Sequence, residues 1–386
     1  MANGHHDSVD PELVGDVAAL DDLVRRLRRT DQVAFDTESA SFHRYADRVY
    51  LIQISTKRET ALIDPIELPD VGPVGAILAD PTIEVVFHDA DYDLRVLDRD
   101  FGMRAQRIFD TRVAAQLAGE EGVGLGSLLA RHFGVSLDKR FQRADWSLRP
   151  LPDDMIAYAA NDTRYLLDLR HLLADRLRSM SRLHWAEEEF RRLEEIRWTG
   201  ARGGDDNGFL RVKGAKSLPP RQLAILKQLQ TWRDGTARAL DRAPFRILAN
   251  STMLALARRA PQDEPSLRSV KGVSSGILGR HGQAILEAIG AGLATPTQDL
   301  PKLKRGRRPE PNAGYEARLD RLKQLRSERA GRCGLEPGLL CPNGTLQTIA
   351  RAAPITAAEL GEISELRAWQ REVLGDSAIL RATGSS

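Results

Sequence analysis

Cysteine is nearly absent from this 386-residue chain, which has only Cys333 and Cys341, with seven residues between them. That spacing fits no zinc or redox motif, and two thiols make no disulfide framework, so both are read as plain thiols. No run of about 18 apolar residues occurs, which excludes a membrane-spanning helix. The opening residues, MANGHHDSVDPELVGD, lack the basic-then-apolar layout of a secretory signal, so the expected location is cytoplasmic. No Ser-His-Asp or Cys-His signature points to a covalent nucleophile. What remains is ordinary globular material, 42% hydrophobic and 28% charged, too apolar for a disordered chain and long enough for two or three domains.

The formal net charge of +2 conceals a strong asymmetry. Residues 211–295 hold 14 Lys+Arg against 5 Asp+Glu, a balance of +9, and residues 296–386 hold 15 against 11, or +4. Residues 1–210 hold 27 against 38, or −11. An acidic first half tethered to a basic second half fits carboxylates placed for metal binding in one and a surface for a polyanion in the other. Charge alone equally fits two solvated surfaces.

Hydrophobic patterning divides the chain further. Segments 32–37 (QVAFDT), 50–55 (YLIQIS), 60–63 and 84–88 (EVVFH) read as strands, and 16–29, 93–98, 113–118 and 126–133 as helices. This alternation predicts an α/β layer architecture. Beyond about residue 181 strand signals nearly vanish, leaving two stretches of short helices broken by Pro and Gly. The expected organisation is an α/β domain over 1–205, a helical domain over 211–295, a basic Pro/Gly linker over 296–314, and a second helical domain over 315–380, the last two a diverged repeat.

Three local patterns carry carboxylates. Asp36 and Glu38 stand at i and i+2 at the end of the strand QVAF, so their side chains leave one face and suit a hard divalent cation; a solvated pair is the alternative. Asp93 opens an amphipathic helix after Phe87-His88-Asp89-Ala90-Asp91-Tyr92, where Asp91 or Asp93 could equally cap the helix. Tyr158 and Asp162 lie four apart on a helix, hence side by side, which suits positioning a water or a plain surface hydrogen bond.

Taken together and in this order, FDTES, HDADYDL and YAANDTRYL resemble the three exonuclease motifs of the DEDD superfamily in its tyrosine-bearing subgroup, and DWSLRPL (145–151) resembles a stretch typical of the ribonuclease D family. The helical modules resemble HRDC domains, the first through LKQLQTWRD, PFRIL and the Val270–Val273 turn. The resemblance implies a ribonuclease H-like α/β exonuclease domain, a mixed sheet flanked by helices, followed by two all-α HRDC-like domains. It further implies that Asp36, Glu38, Asp93 and Asp162 hold two divalent ions, Mg²⁺ or Mn²⁺, with Tyr158 orienting the attacking water. A pair of ions serves an in-line displacement without a covalent nucleophile. One departure is Asp89, an extra acid where relatives often carry Asn or a small residue.

The implied activity is metal-dependent 3′→5′ exoribonucleolysis of ribonuclease D type, releasing nucleoside 5′-monophosphates. Its implied substrates are RNAs with a single-stranded 3′ end, namely tRNA precursors and small structured RNAs, and a monomer is expected. The alternatives are a DNA-directed exonuclease and a non-catalytic RNA-binding scaffold, the latter disfavoured because all five catalytic-type residues are present. Candidate substrate contacts are His43 after the first motif, Lys139, Arg140, Arg143 and Trp146 upstream of the third, and Arg233, Arg246 and Lys271 on the basic helical module. Trp146 equally reads as a core anchor, while His88 and Gln53 read as structural.

Overall fold

The computed structural model describes residues 10–200, 207–303 and 314–384. Its first part runs β1 (Glu12–Val14), α1 (Val17–Leu27), β2 (Gln32–Ser39), β3 (Val49–Ser55), β4 (Thr60–Ile63), α2 (Gly72–Leu78), β5 (Glu84–Phe87), α3 (Asp91–Phe101), β6 (Ile108–Asp110), α4 (Thr111–Leu117), α5 (Leu125–Phe133), α6 (Asp153–Arg164), α7 (Leu166–Ser179) and α8 (Leu183–Glu194). The strands form one mixed six-stranded sheet in the order β1-β4-β3-β2-β5-β6. β3 pairs antiparallel with β2 and β4, whereas β2-β5, β5-β6 and β1-β4 are parallel. All four anticipated strands are present, while β1 and β6, three residues each, are too short to show a period.

The apolar runs explain the centre of this sheet. Val33, Ala34, Phe35, Val85, Val86 and Phe87 are fully buried, as expected of strands covered on both faces. Because β2 and β5 are parallel neighbours, their carboxyl ends lie side by side, and the chain leaves β5 directly into α3. Helix α6 packs against β2, β3 and β4, its buried Ala159 and Ala160 allowing close approach.

Two helical modules follow. The first contains α9 (Pro220–Ala239), α10 (Pro244–Ile247), α11 (Asn250–Arg259), α12 (Glu264–Arg268) and α13 (Ser275–Ala294); the second contains α14 (Tyr315–Cys333), α15 (Pro337–Leu340), α16 (Asn343–Ala352), α17 (Ala357–Gly361), α18 (Ala368–Leu374) and α19 (Asp376–Thr383). Helices α9 and α13 cross so closely at Gly292 that a Cβ there would collide with the backbone of Ile225. The modules repeat each other in detail. Arg233 donates to Leu248 O at 3.0 Å and Asn250 Oδ1 at 2.7 Å, and Arg326 donates to Cys341 O at 2.7 Å and Asn343 Oδ1 at 2.8 Å. Helices α11 and α16 both end in a left-handed alanine, Ala260 and Ala353. Residues 304–313 of the expected linker, with most of its basic run, lie outside the described residues, as do 201–206 of the Gly-rich break before the first module.

The two modules attach differently. The second shares one buried cluster with α4, α7 and α8: Trp185 stacks on Trp369 with centroids 5.4 Å apart, and Glu188 accepts from the amides of Ala368 and Trp369 at the start of α18. The first has its own core and touches the sheet domain through the 42–45 loop, by polar contacts and by the ring of Phe42 against that of Phe245.

Candidate active site

The carboxyl end of β2 carries Asp36 and Glu38, and α6 brings Asp162 against them. One oxygen from each of these three carboxylates lies within 4.8 Å of the others. Asp93, in the first turn of α3, completes the cluster and accepts the Thr37 hydroxyl at 2.5 Å. Around them is an open cavity of about 270 Å³, whose lining includes His88, Tyr92, Gln142 and Tyr158.

Electrostatics show how unfavourable this cluster is without a cation. Burial first, then repulsion from Asp162, pushes Asp36 well above the usual carboxylate range. Glu38 is raised by burial and by Asp36, Asp162 and Asp93, and Asp93 by burial and Asp36. Asp162 is pushed up to about 7 by burial, against the opposing hydrogen bond from Tyr158. Such a set of converging hard oxygens fits Mg²⁺ or Mn²⁺, since a divalent ion neutralises like charges that otherwise hold protons. His88 also lines the cavity, with its Nδ1 2.9 Å from Thr111 Oγ1.

Tyr158 lies beside Asp162 as the i, i+4 spacing on α6 requires, with its hydroxyl hydrogen-bonded to that carboxylate. Burial and the surrounding acids raise the phenol far above its ordinary value, so it keeps its proton. Trp146 fixes the ring from one side, at 6.0 Å between centroids, and Phe141 meets it edge-on at 5.9 Å. Arg149 locks the Trp146 loop to the sheet by donating to Trp146 O at 2.9 Å, Tyr50 O at 2.8 Å and Asp64 Oδ1 at 2.8 Å.

The expected substrate contacts divide sharply. Trp146, only 1% exposed, is an anchor of the loop and not a surface on which a base could stack. Arg233, 8% exposed, is likewise corrected: its guanidinium ties α9 to the start of α11 through hydrogen bonds inside the module. Arg246 is exposed but donates to Phe42 O and reaches His43 Nδ1 at 3.3 Å, bracing the first module against the sheet domain. His43 also contacts Arg143 O at 2.8 Å. Lys139, Arg140, Arg143 and Lys271 are exposed. Arg140 lies over Phe141 and Arg143 over Phe42, at 5.2 and 5.1 Å from the ring centres.

Asp89 points away from the carboxylates, with a 60% exposed side chain 3.2 Å from Arg112. Its φ of 71° explains the residue type, because Asp and Asn tolerate the left-handed conformation that this turn requires. Sequence reasoning missed Asp110. Fully buried, it accepts from the amides of Ala90 (2.8 Å), Asp89 (3.3 Å), Arg112 (2.8 Å) and Val113 (3.0 Å), fixing the turn that aims His88 and Asp93. It also missed Thr37, inside the first motif.

A mixed sheet with a partly buried acidic cluster at the end of β2 and a tyrosine on the helix packed against it is the arrangement of a 3′→5′ exonuclease domain, and the model of the 3′→5′ exonuclease family matches residues 11–178. The HRDC domain model matches residues 222–289 and 316–382. The chain is 31% identical to the ribonuclease D of Gluconacetobacter diazotrophicus, over 97% of this chain and 93% of that relative, and 33% identical to the ribonuclease D of Acidiphilium cryptum, over 96% and 92%. The crystal structure of Escherichia coli RNase D, an exoribonuclease involved in structured RNA processing, superimposes with a TM-score of 0.71 at 26% identity, covering 96% of this chain and 98% of that one. The chain belongs to the ribonuclease D family and is a 3′→5′ exoribonuclease.

Proposed function

We propose that this protein trims the 3′ trailers of tRNA precursors and other small structured RNAs, releasing nucleoside 5′-monophosphates in a reaction that depends on Mg²⁺ or Mn²⁺. The observation that carries this reading is the convergence of Asp36, Glu38 and Asp162, with Asp93 behind them, on one open cavity. Asp36, Glu38, Asp93 and Asp162 would hold two divalent ions, which supply Lewis acidity for the attacking water and the departing 3′ oxygen. Tyr158, kept protonated, orients the water through its hydroxyl while Asp162 holds that hydroxyl in place. Trp146 and Phe141 limit the ring's motion. The basic first module contributes charge that favours a structured RNA without reading its bases. We place the protein in the cytoplasm as a monomer; no helix among the described residues is long and apolar enough to cross a membrane.

The test is a 5′-labelled RNA with a single-stranded 3′ tail, incubated with Mg²⁺, with Mn²⁺ or with chelator. The native protein yields a metal-dependent ladder shortening from the 3′ end, and Asp36→Ala yields none. Intact RNA in every metal would overturn the reading. Pairing the tailed RNA with mature tRNA tests the substrate class.

A further inference from the structure

Large apolar side chains at a domain junction are normally covered, yet Phe42 and Phe245 remain 40% and 49% exposed. They belong to different domains, Phe42 to the loop after β2 and Phe245 to α10, and their rings meet edge-to-face with centroids 6.0 Å apart. The pair is held in place from behind. Ala243 N donates to His43 O at 3.1 Å and Arg246 donates to Phe42 O, so each ring sits next to a fixed backbone.

A continuous series of contacts joins this pair to the cavity. Tyr158 and Gln142 line the cavity; Phe141, beside Gln142, meets Tyr158; Arg143, on its other side, lies over Phe42; and Phe42 meets Phe245. Exposed cations flank this route at Lys139, Arg140, Arg143 and Arg242. Aromatic faces alternating with arginines are the means by which proteins hold single-stranded nucleic acid, since every base offers a π face and every nucleotide a phosphate.

We propose that Phe42 and Phe245 form a base-stacking platform, shared by the exonuclease domain and the first HRDC domain, for single-stranded RNA upstream of the nucleotide being removed. It rests on reading the cavity as the site of hydrolysis. The platform makes the grip on a 3′ tail depend on the seating of the first HRDC domain, and it is indifferent to base identity.

The experiment uses the full chain and an RNA carrying 2-aminopurine, whose fluorescence is quenched by stacking, placed upstream of the 3′ end. In chelator, native protein quenches the probe, Phe42→Ala/Phe245→Ala does not, and Phe245→Trp does. With metal, the ratio of kcat/KM on a long single-stranded RNA to that on a dinucleotide falls on the order of tenfold in the double variant. Unchanged quenching, or equal losses on both substrates, would overturn the platform and leave a contact that only pins the domains. A peptide partner for the same rings would show as unchanged RNA behaviour and would likewise overturn it. Should the double variant fail to fold, the half-exposed Phe245→Ala carries the test alone. Native protein that hydrolyses neither substrate would strike down the reading of the cavity, while quenching in chelator still decides the platform.

Discussion

The Thr37 hydroxyl donates to Asp93 Oδ1 at 2.5 Å, joining the strand that carries two of the acids to the helix that carries a third. Both residues are buried, so this hydrogen bond fixes where Asp93 sits and favours its ionised form. Removing the donor takes away the side chain that ties this carboxylate to β2, although a backbone hydrogen bond to it remains. Thr37→Val is therefore expected to raise the Mg²⁺ concentration for half-maximal activity and lower kcat, each by about 10- to 100-fold, as losing a group that orients a ligand does. Metal titration of mononucleotide release checks this, and Thr37→Ser should restore most of the loss.

Metal-free protein should lose stability as pH rises through the range where these acids ionise. Folding lifts Asp162 from an ordinary value of about 4 to about 7, chiefly by burial, and it lifts the other three in the same direction. The folded state then binds more protons than the unfolded state, so stability is greatest below about pH 4 for this contribution and declines through about pH 7. Asp162→Asn removes one charge and should raise the Tm of the metal-free protein near pH 7.5 by roughly 3 °C while abolishing nuclease activity. Mn²⁺ should raise the native Tm and leave the variant less affected. Thermal melts across pH, with and without metal, test the sign; a native Tm that climbs from pH 5 to 7.5 relative to the variant would contradict it.

The local spacings, i and i+2 on a strand for Asp36 and Glu38 and i and i+4 on a helix for Tyr158 and Asp162, each left a bland alternative open; the carboxylates were legible through the order of the three motifs and the family they resemble. Thr37 and Asp110 were not, because their partners lie 56 residues away in one case and across a turn of unpredictable geometry in the other. The four longer strands announced themselves by β-branched runs, while β1 and β6 exist only through their neighbours. Arg233 shows why charge misleads. In sequence a guanidinium in a basic segment looks like a phosphate contact, and only the packing of α9 on the start of α11 reveals that its hydrogen bonds are internal. Its counterpart Arg326 was hidden by the same ambiguity. That the last module shares a core with α8 was equally unreadable, since the stacked tryptophans are 184 residues apart (185 and 369).

That shared core predicts a common unfolding event. Trp369 is 1% exposed, stacks on Trp185, and donates its indole N–H to Glu189 Oε1 at 2.7 Å. Trp369→Ala should cost about 3–5 kcal/mol, the range for emptying a buried aromatic site. Because the lost contacts belong to both the second HRDC domain and the exonuclease domain, urea unfolding followed by far-UV signal and by nuclease activity should shift together. Loss of the last domain's signal with the activity midpoint unmoved would show that the two fold independently.

The two basic positions Arg233 and Lys271 should separate stability from RNA binding. Arg233 is buried and donates to Leu248 O and Asn250 Oδ1, so Arg233→Ala leaves both acceptors without a charged donor. A cost of roughly 2 kcal/mol follows from hydrogen bonds of that kind. Lys271 is exposed on the turn before α13, where only its charge can matter to a polyanion. Lys271→Ala should leave the melting curve in place while lowering the slope of log affinity against log salt by about one, the signature of one lost phosphate contact. The reverse pattern, a stable Arg233→Ala with a reduced salt slope, would mean that α9 opens to put Arg233 on the RNA.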